Sequence, residues 1–193
     1  MGGGNGQLPD PLENLGVAGW FADENRLELD HLIREHPIQS VVEIGSFLGL
    51  SAIWFARYPQ IKSVTCVDLW FESANYDSQN NLFGTLNRWE LPRDFFHLFR
   101  TNVMRSGYWH KIHPVRGNSH YVSGEVPFAD LVYVDGDHSQ EGCSKDILTY
   151  REKARSIICG DDYSDREGFG VIQAVSELLP NHRHHGPFWW SIL

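Results

Sequence analysis

Apolar residues along this chain recur with two different spacings. Near-continuous runs occur at 40–44 (SVVEI), 63–67 (SVTCV), 129–134 (ADLVYV) and 154–160 (ARSIICG), with a weaker one at 111–115 (KIHPV). Such runs predict short strands buried on both faces. Helical spacing appears between them, at 24–36, 51–58, 94–106, 139–152 and 168–179. In the first helix, Leu27, Leu29, Leu32 and Ile33 form the expected buried face; Pro37 and Pro59 close the first two helices. In the last, Val171, Ile172, Val175, Leu178 and Leu179 do so. The tail PFWWSIL reads as an edge or antiparallel strand. Alternation should bury two of Phe188, Trp189 and Trp190 and leave one for an interface, such as that of a homo-oligomer. Strand–helix alternation predicts an α/β fold: a doubly wound, mostly parallel sheet with helices on both faces and a C-terminal antiparallel strand.

Two stretches break the pattern. Residues 1–19, beginning MGGGNGQLPDP, have neither a basic start nor an apolar run, and read as a disordered tail rather than a signal peptide. Residues 69–93 are rich in Asn, Gly and aromatic residues, with weak periodicity. They read as a lid-like insertion in a single domain spanning 20–193.

Polar residues gather where the predicted strands end: Glu43 and Gly45, Asp68, Gly117 to Ser119, Asp135 to His138, and Asp161 with Asp162. Ligands of doubly wound sheets bind outside those strand ends. Gly45 and Gly49 would turn the chain tightly and bring backbone amides to a ligand. The turn lacks the Lys-Ser/Thr pair of a phosphate-binding loop and the full G-x-G-x-x-G of a dinucleotide fold. Asp68, at the next strand end, stands where a carboxylate bonds ribose hydroxyls; its plainer alternative is a surface cap.

The net charge of -9, from 16 basic and 25 acidic residues, argues against a nucleic-acid surface and for a small-molecule partner. No apolar run is long enough to span a membrane. Cys66, Cys143 and Cys159 form no C-x-x-C pair, and Cys66 and Cys159 lie in apolar strands. Buried thiols in a cytoplasmic protein are the expectation.

The stretch E-I-G-S-F-L-G-L-S resembles the first motif of class I S-adenosylmethionine (SAM)-dependent methyltransferases. V-T-C-V-D, V-R-G-N-S, F-A-D-L-V-Y-V-D-G-D-H and I-I-C-G-D-D-Y extend the resemblance over about residues 38–178. It is strongest to the metal-dependent O-methyltransferases of the catechol and macrocin types. The resemblance implies a Rossmann-like fold that binds SAM. It implies that Glu43, Gly45 and Ser46 line the methionine part and Ser51 holds its carboxylate. Asp68 would bind the ribose, Asn118 and Ser119 would border the adenine, and Trp70 or Phe71 would stack on it. Asp135 would border both the cofactor and a Mg²⁺ or Mn²⁺ ion held by Asp135, Asp161 and Asp162. The glycine pair usual before the last acidic strand is replaced by Arg155 and Ser156.

The chemistry agrees with that donor set. Converging carboxylates repel unless a cation or proton lies between them. A hard divalent ion takes oxygen ligands and acidifies a hydroxyl that it binds. Asp137 would then accept the hydroxyl proton, as the resemblance to the antibiotic-sugar enzymes implies, with His138 its rival. The bland alternatives are an N-cap for Asp137 and a packing role for His138 at the helix start. The implied activity is O-methylation of a small hydroxylated metabolite. A nicotinamide-dependent oxidoreductase and a non-catalytic cofactor-binding domain of the same fold are the alternatives. Residues 181–186, NHRHHG, read as a surface turn without a metal-ligand set.

Overall fold

The computed structural model describes residues 21–70 and 94–193. Among these residues seven strands form one sheet: β1 (Ser40–Ile44), β2 (Ser63–Asp68), β3 (Ile112–Arg116), β4 (Ala129–Val134), β5 (Ala154–Gly160), β6 (Arg183–His185) and β7 (Phe188–Ile192). Their order is β3-β2-β1-β4-β5-β7-β6. The first five are parallel and the β5–β7 and β6–β7 pairs are antiparallel. The sheet is therefore doubly wound, as the alternation predicts. Its switch point lies between the central strands β1 and β4, where the chain leaves the sheet in opposite directions.

Alternation along each strand divides the core in two. Val41, Cys66, Leu131, Tyr133 and Cys159 join a cluster with α1 (Asp23–Glu35), α2 (Leu50–Ala56) and α3 (Phe95–Ser106). Val42, Ile44, Val132, Val134 and Ile158 face α5 (Gln140–Tyr150) and α6 (Val171–Leu178). A short helix, α4 (Ser119–Val122), lies between β3 and β4. Its start is capped by the Asn118 side chain, which accepts the His120 N–H at 3.1 Å. The three cysteines are buried and free. No helix among the described residues is long and apolar enough to cross a membrane.

Four expectations change. On α1, Leu27 is 71% exposed, and Asn25 takes its place on the face of Leu29, Leu32 and Ile33. The i, i+4, i+7 spacing of Asn25, Leu29 and Leu32 explains this. The tail strand is antiparallel, as expected, but it is not the sheet edge, because residues 183–185 pair outside it as β6. Two of the three aromatics are buried, as expected, but they are the neighbours Phe188 and Trp189 on opposite faces, because both faces of this strand are covered; Trp190 is partly buried on the Phe188 side. The NHRHHG stretch supplies that edge and also a brace. His182 meets the Leu179 carbonyl (2.8 Å) and the Tyr163 hydroxyl (2.9 Å), and His184 stacks on the Tyr163 ring at 4.5 Å. The last helix starts at Val171, after Gly168 and Gly170, rather than at 168. The 1–19 tail and almost all of the 69–93 insertion lie outside the described residues.

Candidate active site

A cavity of about 790 Å³ opens at the carboxyl ends of β1, β2, β4 and β5. Gly45, Ser46 and Ser51 line it from the first turn, Asp68 from the second strand, and Asn118 and Ser119 from the start of α4. Asp135, Asp137, His138, Asp161 and Asp162 line its other side. The structure thus brings Gly45, Ser46, Ser51, Asp68, Asn118, Ser119, Asp135, Asp137, His138, Asp161 and Asp162 to one cavity, while Glu43 is buried behind its wall and Trp70 does not line it.

The turn after β1 depends on Gly45 and Asp68. Gly45 has φ of 87° and donates its N–H to the Val67 carbonyl at 2.8 Å. Asp68 accepts the N–H of Phe47 on one carboxylate oxygen and that of Trp70 on the other, both at 2.7 Å. Phe47 and Trp70 both have φ of 42°, an unfavourable conformation for a side-chain-bearing residue. Charge-assisted bonds to Asp68 offset that strain. Burial raises the Asp68 pKa above the ordinary carboxylate value, against the pull of those amides. Trp70 does not stack over the cavity: it is buried, donates Nε1–H to the Phe47 carbonyl and packs on Phe96 and Phe99. Phe71 lies outside the described residues.

Glu43 is fully buried, and neither oxygen makes a hydrogen bond of good geometry, although the Ser46 and Ser51 hydroxyls face it. Burial outweighs those hydroxyls and pushes its pKa up to about 7. The ordinary value is 4.5, so the folded state holds a proton between pH 4.5 and about 7 that the unfolded chain has lost. Stability from this group is full below the ordinary value, falls as pH rises toward 7 and levels off above it. The loss is on the order of 3 kcal/mol, and Glu43→Gln should remove it. Urea titrations of both proteins from pH 4 to 8 measure the difference; parallel pH profiles would exclude a protonated Glu43.

Three side chains converge on the far side. His138 Nε2 lies 3.0 Å from an Asp162 oxygen and 3.5 Å from an Asp135 oxygen. One ligand atom from each of the three residues fits within 4.8 Å of the others. Neither His138 nitrogen reaches hydrogen-bond geometry, so the contacts are ionic. Burial pulls the His138 pKa down, but the two carboxylates outweigh it and hold it at about 10. Desolvation pushes Asp135 up to about 7, against His138, although about a quarter of its side chain stays exposed (26%). The Phe169 ring packs on His138 at 4.8 Å.

Asp161 and Asp162 diverge. Asp162 has φ of 60° and turns into the cluster, while Asp161 accepts the Asp162 N–H at 2.6 Å. Burial and the neighbouring Asp162 charge push the Asp161 pKa up to about 6. Asp137 also stays out of the cluster. It is exposed, accepts the Ser139 N–H at 2.9 Å and sits over Gly142 at the start of α5. Asp137 is not the N-cap of that helix, because Ser139 is, accepting the Gly142 N–H at 3.1 Å; Asp137 forms an Asx turn just ahead of it.

Sequence reasoning missed Asp146. It is buried, lines the cavity and accepts the Ser119 hydroxyl at 2.6 Å, so Ser119 is held from α5. Cys143, Asp146, Ile147 and Tyr150 share a helix face, and that spacing was the available signal.

The chain matches a family model described as a methyltransferase domain over residues 42–163. No curated protein gives a significant match. Solved structures share the fold. Cofactor-bound Rv0187 from MTB is 19% identical with a TM-score of 0.64, covering 91% of this chain and 82% of that one. An O-methyltransferase from Bacillus cereus in complex with SAH is 14% identical (TM-score 0.59; 90% and 82% covered). The O-methyltransferase TomG from Streptomyces achromogenes, in complex with SAM, is 16% identical (TM-score 0.59; 93% and 81% covered).

Proposed function

Because the chain belongs to the methyltransferase-domain family, matched over residues 42–163, we propose that it transfers the methyl group of SAM to a hydroxyl of a small metabolite. The observation that carries this reading is the cavity itself. It joins the Gly45 turn and Asp68, suited to a nucleoside with a polar tail, to the Asp135–His138–Asp162 cluster, suited to an acceptor hydroxyl. The SAM- and SAH-bound structures of similar fold support the choice of cofactor.

Ser46 and Ser51 would bond the cofactor's methionine end, the free lone pairs of Asp68 its ribose, and Asn118 with Ser119 its adenine. The hydroxyl oxygen attacks the methyl carbon as the carbon–sulfur bond breaks, leaving a neutral thioether. Its proton passes to the Asp135–His138–Asp162 cluster rather than to Asp137, which faces α5. The donor set fits a divalent ion. Asp135 and Asp162 would hold it, with Asp161 beside them, and a bound ion lowers the pKa of a hydroxyl. His138 supplies the positive charge between those carboxylates in the ion-free protein.

Calorimetry with SAH tests the cofactor reading. Micromolar affinity is expected, about 8 kcal/mol of binding free energy. Asp68→Asn should weaken it by about 10-fold or more, since a charge-assisted ribose bond is lost. Binding of NAD but not SAH would replace this reading with the oxidoreductase.

A further inference from the structure

Resting on that reading, we infer that the acceptor carries an anionic oxygen group, a carboxylate or phosphate, which Arg166 holds at the cluster end of the cavity. Arg166, Glu167, Gly168 and Phe169 form a tight turn. The Phe169 N–H donates to the Arg166 carbonyl at 3.0 Å, and Gly168 has φ of 85°. This turn is anchored on His138 twice, by the Phe169 ring at 4.8 Å and by the Gly170 N–H, which donates to the His138 carbonyl at 2.8 Å. A side chain at Gly170 would collide with the Gln140 backbone, which fixes how closely the turn sits on α5. The Arg166 guanidinium then lies over the Phe169 ring, 5.1 Å from its centre. The order of contacts runs Arg166, Phe169, His138, Asp162.

Charge accounting singles out Arg166. Among the described residues the cavity is lined by six aspartates and by three side chains that can be cationic: His120, His138 and Arg166. His138 is held between Asp135 and Asp162, and His120 lies 3.8 Å from Asp146. Arg166 makes no ion pair among the described residues, and its neighbours Asp165 and Glu167 are exposed beside it. An exposed guanidinium with free N–H groups, seated on a ring at the mouth of an otherwise acidic cavity, is suited to bidentate capture of an oxyanion. The cofactor's own carboxylate is assigned to Ser46 and Ser51 on the Gly45 side of the cavity, which leaves Arg166, at the Phe169 turn, for the acceptor. The Phe169 ring offers a flat wall for the body of the acceptor between its anionic group and its reacting hydroxyl.

The test is binding to the full chain with SAH and Mg²⁺ present, followed by calorimetry. Two matched pairs separate the oxyanion sources: 3,4-dihydroxybenzoate against its methyl ester, and glucose 6-phosphate against glucose. The anionic member of at least one pair should bind about 10-fold tighter than its neutral twin. Arg166→Gln should abolish that preference and Arg166→Lys should restore part of it. Equal binding within both pairs, no binding in any arm, or a preference that survives Arg166→Gln would overturn the assignment while leaving SAH binding intact. Loss of SAH binding by the unmodified protein would instead overturn the function on which it rests.

Discussion

His138→Gln is expected to lower methyl transfer by about 100-fold or more, while Asp137→Asn stays within about 3-fold of the unmodified protein. Both residues follow Asp135 at the end of β4, and composition does not separate them. Geometry does. His138 lies within 3.5 Å of both cluster carboxylates and under the Phe169 ring, at the end of the cavity proposed for the acceptor. Asp137 spends its carboxylate on the Ser139 amide, an acceptor role that Asn fills equally well. EDTA should abolish turnover and Mg²⁺ or Mn²⁺ should restore it. Asp162→Asn should raise the Mg²⁺ concentration needed by about 10-fold, with SAH affinity unchanged, because Asp162 touches the cluster and not the Gly45 turn. Full activity in excess EDTA removes the metal. A large loss in Asp137→Asn, with an unchanged melting temperature, returns proton removal to Asp137.

The positions of the candidate-site residues at the strand ends were legible in the sequence; the directions of their side chains were not. Gly45, Asp68, Asp135 and Asp162 are readable because a parallel sheet delivers every strand to the same edge, so polar residues at strand ends converge. What a side chain does after the strand ends depends on backbone angles that no periodicity encodes. Asp161 and Asp162 look equivalent in sequence. The left-handed conformation at Asp162 sends one into the cluster and leaves the other bonded to its neighbour's amide. His138 both packs on Phe169, from the loop after β5, and faces the cluster carboxylates, two roles that its place in the sequence does not separate. The β6 strand escaped notice because a short, exposed edge strand needs no apolar residue: Arg183, His184 and His185 are all exposed. Trp70 looked available for stacking because its burial under Phe96 and Phe99 depends on the fold of α3.

Gly45→Ala should cost on the order of 3–5 kcal/mol of stability and remove measurable SAH binding. Two effects add at this position. An alanine at φ of 87° pays for a left-handed backbone, about 1–2 kcal/mol. Its Cβ would also lie 1.9 Å from the Asp135 carbonyl oxygen and 2.9 Å from the Gly136 Cα. These are backbone atoms of the chain leaving β4, and the Asp135 N–H is tied to the Ile44 carbonyl at 2.8 Å, so they cannot swing aside as a side chain would. Relief requires β1 and β4 to part at the switch point, which would displace Asp135 from the cluster as well. Two other glycines separate the contributions. Gly168→Ala, at φ of 85° with nothing within 4 Å of the added carbon, should show the backbone cost alone. Gly49→Ala meets the Phe99 ring at 2.9 Å, a side chain able to shift, and should fall between the two. Urea unfolding should therefore rank the losses Gly45 > Gly49 > Gly168. Equal losses at Gly45 and Gly168 would mean that β1 and β4 do not approach as closely as the structure shows. The cavity would then be wider at the point where cofactor and acceptor are proposed to meet.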